Sequence, residues 1–145
     1  MIAQTMGDLI WSPSDRPVGK NILVIDDDPV FCGAMEAVGN SLGMVVRGAH
    51  TPRSASLLLL RYRFDLAVID FSLGNITGIQ LARLLEKIGA GMPVLIVSDY
   101  KLTQRGHWPA SVRQFVQKSA GTRAILREAA RLTSGGGPSS TRNTV

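Results

Sequence analysis

Four short, largely apolar runs recur along this chain, and each stops at a polar residue of a particular kind. Ile22-Leu23-Val24-Ile25 is followed by Asp26, Asp27 and Asp28, and Leu66-Ala67-Val68-Ile69 by Asp70. Pro93-Val94-Leu95-Ile96-Val97 stops at Ser98, and Phe115-Val116-Gln117 at Lys118. Runs of this length, rich in β-branched residues, suit strands covered on both faces, as in a parallel sheet. Met44-Val45-Val46 is a further strand candidate.

Helix signals fill the intervals. Asp28-Pro29 and Thr51-Pro52 each pair an N-cap residue with a proline suited to the first helical position. Phe31, Ala34, Met35 and Val38 follow at helical spacing, and Gly43 ends that segment. A second helix runs from Pro52 through Leu60, and a third from Gly78 to Ile88, with Ile79, Leu81, Ala82, Leu85 and Ile88 mostly on one face. Residues 122–132 form the last. Strand and helix in alternation imply right-handed crossovers and a sheet covered on both sides. The expected fold is α/β, a doubly wound parallel sheet of five strands.

The 145 residues suffice for about one domain. Residues 1–20 read as an N-terminal extension, 21–133 as the folded unit, and 134–145 (SGGGPSSTRNTV) as a flexible tail by composition. Leu9-Ile10-Trp11 in the extension is suited to docking on the domain or to dimerisation, or stays disordered. No apolar run approaches the roughly 20 residues needed to span a bilayer, and the start lacks the basic region of a signal peptide. Cys32, the lone cysteine, excludes an internal disulfide. It falls mid-helix beside Phe31, as a core residue does. The net charge of +5 comes from scattered Arg and Lys without zinc-finger or basic-zipper spacing, so nucleic-acid binding is not expected. His50 and His107 have no partner motif. A soluble, cytoplasmic protein without membrane insertion is expected.

In a doubly wound sheet the functional site lies at the carboxyl ends of the strands. The residues that end the runs therefore meet: Asp26, Asp27, Asp28 and Asp70 with Ser98 and Lys118. Clustered carboxylates raise each other's pKa unless a cation neutralises them. Oxygen donors without Cys or His favour a hard ion such as Mg²⁺. A carboxylate beside such an ion, an ammonium and a hydroxyl suits phosphoryl transfer, which needs mainly positioning and charge neutralisation.

The stretches ILVIDDDPVF, DLAVIDFSLGNITG, PVLIVSDY and FVQK resemble the receiver domain of two-component response regulators, over residues 21–132. The resemblance implies a flavodoxin-like fold and a set of roles. Asp70 corresponds to the aspartate phosphorylated from a partner kinase's phosphohistidine. Asp27 corresponds to a direct Mg²⁺ ligand and Asp26 to a neighbour acting mostly through water, with the Ser72 backbone carbonyl completing the protein ligands. Ser98 corresponds to the hydroxyl that turns toward the phosphoryl group, Phe115 to the aromatic that moves with it, and Lys118 to the lysine that pairs with it. Asp28 reads as a helix cap. The implied partners are a sensor histidine kinase or phosphotransfer protein and a downstream protein. The implied activity is signalling by interaction, or a phosphate sink, rather than enzymatic turnover.

Several positions depart from the family. Gly74 replaces a common proline and is expected to loosen its loop. Ser119 replaces the proline after the lysine, so a cis peptide is not expected there. Asp99 puts a carboxylate after Ser98, facing either solvent or the site. Residues 100–111 (YKLTQRGHWPAS) lack an apolar helical face and contain Gly106 and Pro109, so the fourth helix should be short, distorted or absent. Ser98-Asp99-Tyr100 is similar to an element of the single-domain alphaproteobacterial FATGUY group, in which that helix is lost or unstable. Tyr100 and Trp108 then serve as partner anchors or cover the core locally. Two alternatives stay open: a receiver-fold interaction module that is poorly or not phosphorylated, and a magnesium-dependent phosphatase with its acceptor among Asp26, Asp27 and Asp28.

Overall fold

The structure, a computed structural model, describes residues 18–88, 91–102 and 106–133. The expected C-terminal tail and residues 1–17 of the expected extension lie outside the described residues.

Strand β1 (Asn21–Ile25) leads into helix α1 (Pro29–Ser41), β2 (Val45–Ala49), α2 (Pro52–Arg61) and β3 (Leu66–Asp70). A two-stranded ribbon follows, β4 (Ser72–Leu73) and β5 (Ile76–Thr77), then α3 (Gly78–Lys87), β6 (Val94–Ser98), β7 (Val112–Gln117), a 3₁₀ turn (Lys118–Ala120) and α4 (Thr122–Thr133). The main sheet has five strands in the order β2-β1-β3-β6-β7, all paired parallel. This is the flavodoxin-like doubly wound order.

Two apolar layers hold the sheet. Ile22, Val24, Leu66, Val68, Leu95 and Val97 face Met35 of α1 and Ile125 and Leu126 of α4. Leu23, Ile25, Ala67, Ile69 and Ile96 face Ala55 of α2 and Ile79, Leu81 and Leu85 of α3. Alternate residues of β1, β3 and β6 thus serve opposite layers, which is why Ile22–Ile25, Leu66–Ile69 and Val94–Val97 carry no polar positions. The helices start where their caps require. Asp28 accepts a hydrogen bond from the Val30 N–H, and Thr51 and Thr77 form reciprocal capping boxes with Ser54 and Gln80.

Between Ser98 and Val112 no helix occurs among the described residues, as expected. Leu102 and Trp108 instead pack on the α2–α3 layer, as Phe115 does. Helix α3 holds this segment: the Arg83 guanidinium donates to the His107 carbonyl, and Glu86 accepts from the Ser111 N–H at 2.7 Å.

Several expectations need correction. Strand β2 begins at Val45, after Met44, and continues through Arg47 and Gly48 to Ala49. Strand β7 begins at Val112 rather than Phe115. Its register shifts opposite Val94 and Leu95, leaving Arg113 as an extra residue, so Val112 and Phe115 face one layer although three positions apart. Ile88 follows α3 and is 67% exposed, off the buried face. Gly74, at φ +79°, stands in the β4–β5 hairpin, in a conformation that glycine adopts without strain.

Gly78 is needed for another reason. A Cβ there would fall well inside contact distance of the Asp70 carbonyl oxygen and at 3.1 Å from the Ile69 side chain. The Gly78 N–H also donates to the Phe71 carbonyl at 2.7 Å, so the start of α3 cannot easily move away. Gly78→Ala is expected to cost about 2 kcal/mol, the scale of overpacking against a rigid wall. A urea-unfolding midpoint equal to that of the parent would contradict this.

Candidate functional site

The carboxyl ends of four strands bring together the residues that end the apolar runs. Asp26 follows β1 directly, and its N–H donates to the Ala49 carbonyl at the end of β2. The residue is fully buried. One carboxylate oxygen accepts from the Asp28 N–H at 2.9 Å, and the other lies 2.6 Å from the Lys118 ammonium. Asp70 ends β3, is 8% exposed, and lies 3.6 Å from the same ammonium. Lys118 thus bridges two carboxylates from the last strand's end, and its ammonium also sits 4.5 Å from the centre of the Phe31 ring.

Asp26, Asp27 and Asp70 each offer a carboxylate oxygen, all within 4.8 Å of one another. Asp26 and Asp70 are buried while Asp27 is exposed, so the cluster has one open side. Three oxygen donors that close, with no sulfur or imidazole among them, suit a hard divalent cation with room for water or a substrate oxygen. The donor chemistry therefore fits Mg²⁺. Ser72 begins β4, two residues past Asp70, and its backbone N–H favours the ionised form of the Asp70 carboxyl.

The electrostatics reflect this crowding. Burial, with the charge of Asp26, pushes Asp70 up to about 6, against the opposing pull of Lys118. Burial by itself would lower the Lys118 pKa, but the hydrogen bond and charge of Asp26 and the charge of Asp70 outweigh it and hold the ammonium above its ordinary value. Burial likewise pushes the Cys32 thiol up to about 12, and its Sγ donates to the Asp26 carbonyl at 3.4 Å. Cys32 is a buried core residue, as its position on the helix implied.

The remaining candidates sit around this centre. Ser98 is buried at the end of β6, with its hydroxyl accepting from the Tyr100 N–H at 3.1 Å. Phe115 is half-buried in β7 on the α2–α3 layer. Asp99 faces solvent, while its carbonyl accepts from Gln117 at 3.2 Å. No peptide bond is cis among the described residues, Lys118–Ser119 included. Tyr100 is 78% exposed, whereas Trp108 covers the core. Sequence reading did not anticipate the contacts of Phe31 and Gln117. Phe31 carries only a helical-core signal, and nothing in its spacing points to Lys118.

A flavodoxin-like sheet with an acidic, lysine-bridged site at its carboxyl rim is the architecture of a signalling receiver module. The response regulator receiver domain family matches residues 22–130, and the chain belongs to that family. The two-component response regulator PhoP of Pseudomonas aeruginosa is 32% identical over 91 residues, which cover 63% of this chain and 38% of PhoP. The chain thus spans well under half of that relative. Among solved structures, the response regulator TrrA of Thermotoga maritima in complex with Mg²⁺-BeF aligns with a TM-score of 0.68 at 19% identity, over 78% of this chain and 98% of that one. TrrA in complex with the histidine kinase ThkA gives 0.67 at 19% identity, covering 78% and 97%. A Burkholderia pseudomallei response regulator with a phosphorylated aspartic acid, calcium ion and citrate gives 0.64 at 25% identity, covering 86% and 72%. No helix among the described residues is long and apolar enough to cross a membrane.

Proposed function

We propose that this chain is a phosphorylation-switched receiver acting as a single-domain response regulator in the cytoplasm, with Asp70 as its phosphoacceptor. The observation that carries the reading is Lys118 lying between Asp26 and Asp70 while Asp27 closes a three-carboxylate cluster on the open side. Asp26, Asp27, Asp70 and the Ser72 backbone carbonyl would hold Mg²⁺, which when bound neutralises charge around the acceptor. The Asp70 carboxylate oxygen attacks phosphorus, the bond to the donor's imidazole nitrogen breaks, and the freed imidazole takes a proton. Lys118 holds the growing charge on the phosphoryl oxygens.

The new group carries about −1.5 to −2 charge and three acceptor oxygens. The Ser98 hydroxyl, which accepts from Tyr100 in this structure, can turn to donate to it. That movement opens space for Phe115 and strains the link from Gln117 to the Asp99 carbonyl. The readout is a change around Asp99 and Tyr100, sensed by a partner protein, or the chain drains phosphoryl groups from its kinase. The donor is a sensor histidine kinase or phosphotransfer protein, a reading supported by the TrrA–ThkA complex. Turnover is limited to self-phosphorylation and autodephosphorylation.

A second reading, an interaction module that is poorly phosphorylated, is favoured by the shorter distance from Lys118 to Asp26 than to Asp70. Incubation with Mg²⁺ and a small phosphodonor separates the two. The first expects the mass of one phosphoryl group on the wild-type chain, none on Asp70→Asn, and none in chelator. An unlabelled wild-type chain, under conditions that label another receiver, supports the second.

A further inference from the structure

A groove of about 720 Å³ opens at the end of the sheet opposite the carboxylates, lined by Leu59, Leu60, Tyr62, Phe64, Ile88 and Met92. Its apolar walls are unusually wet: Leu60 is 82% exposed and Ile88 67%. Isolated exposed aliphatics are ordinary, but a concave set of them with aromatic walls marks a surface that something covers.

The chain's own path indicates what that is. Asp65 also lines the groove. Its carboxylate accepts from the Asn21 N–H at 2.7 Å, and its N–H donates to the Asn21 carbonyl at 2.7 Å. The first residue of β1 is therefore fastened to the groove wall. Ten residues upstream of Asn21 stands Trp11, the end of the apolar triplet Leu9-Ile10-Trp11. Residues 18–20 are already placed, with the Gly19 N–H donating to the Gly43 carbonyl at 3.0 Å. Trp11 stands seven residues before Val18, and an extended segment of that length reaches roughly 23–25 Å, enough to fold back over the groove. The covalent link also gives the triplet a local concentration in the millimolar range, which a separate partner must match. Asp8 beside the triplet matches in charge Arg63, which also lines the groove.

We propose that Leu9, Ile10 and Trp11 fold back to cover this groove. The N-terminal segment then serves as a strap that closes the apolar layer between α2 and α3 at the end remote from Asp70.

The test uses the full-length chain with Trp108→Phe, which leaves Trp11 as the sole indole. The expected result is blue-shifted Trp11 emission shielded from acrylamide, the same at all protein concentrations. Leu9→Asp should shift it to the red and expose it to quencher, as should Leu60→Glu with Ile88→Glu. The groove variants lie at exposed positions, with circular dichroism as the fold control. Leu9→Asp changes no residue of the described sheet and helices, so it keeps the test decisive if the groove variants misfold. Emission like that of free indole, unchanged by Leu9→Asp, overturns the proposal. A blue shift that disappears on dilution also overturns it, since a second copy would then be the occupant.

Discussion

Asp70→Asn is expected to raise the stability of the unphosphorylated chain at neutral pH while removing its phosphoryl acceptor. Burial and Asp26 push the Asp70 carboxyl up from 3.8 to about 6. An acid whose folded pKa is raised stays protonated in the folded chain where the unfolded chain has already released the proton. Stability therefore falls as pH rises between about 4 and 6, and the deficit is complete above that window. A shift of this size corresponds to roughly 1–3 kcal/mol, the upper end being the bare conversion and the lower allowing for solvent near a partly open site. Asparagine keeps the shape and loses the charge. Chemical denaturation of both proteins should give curves that nearly coincide around pH 4 and separate with Asn the more stable by about pH 7.5. Equal stabilities at neutral pH would show that Asp70 is well solvated and its carboxylate unstrained.

Lys118→Met should act in the opposite direction and more strongly. The lysine side chain is 13% exposed, and that of Asp26, at 2.6 Å, is 1% exposed. Removing the ammonium leaves a buried carboxylate without its cation beside a second one in Asp70. Breaking one side of a buried ion pair costs about 3–5 kcal/mol, and the lower figure suits a site with one open flank. The loss should persist from neutral pH up to the ordinary lysine pKa, because a raised ammonium pKa gives stability that vanishes only as pH climbs past the folded value. In the double variant Lys118→Met, Asp70→Asn, part of the loss should return, since one of the two repelling charges is gone. A single variant within about 1 kcal/mol of the parent at pH 7.5 would mean that water replaces the ammonium at little cost. The same pair of variants separates folding from function: one is stabilised and the other destabilised, yet neither should be labelled normally by a phosphodonor.

The central strands were readable because both of their faces are covered. β1, β3 and β6 contain unbroken apolar runs, so the polar residue that follows each run marks the sheet's rim, and the rim is the site. The outer strands were harder to read. In β2 the run breaks at Arg47 and Gly48; a Cβ at Gly48 would lie 3.0 Å from the Glu36 carboxylate and 3.1 Å from the Cys32 side chain, a tight approach between α1 and β2 that no local pattern announces. In β7 the polar residues Arg113 and Gln114 hid the first half of the strand. The capping residues Asp28 and Thr51 were legible from local chemistry alone. The preference of Lys118 for Asp26 over Asp70 was not, since 2.6 Å against 3.6 Å is a difference fixed by the whole sheet.

The extra residue in β7 has a consequence for how this molecule meets others. β7 is a border of the sheet, and a straight border would offer a free row of amide and carbonyl groups to any extended peptide. Arg113 interrupts that row with a kink and a charge at an exposed position. Strand addition along this flank is thereby discouraged, so recognition there must be carried by side chains, and crowding of many copies is less prone to end in fibrils.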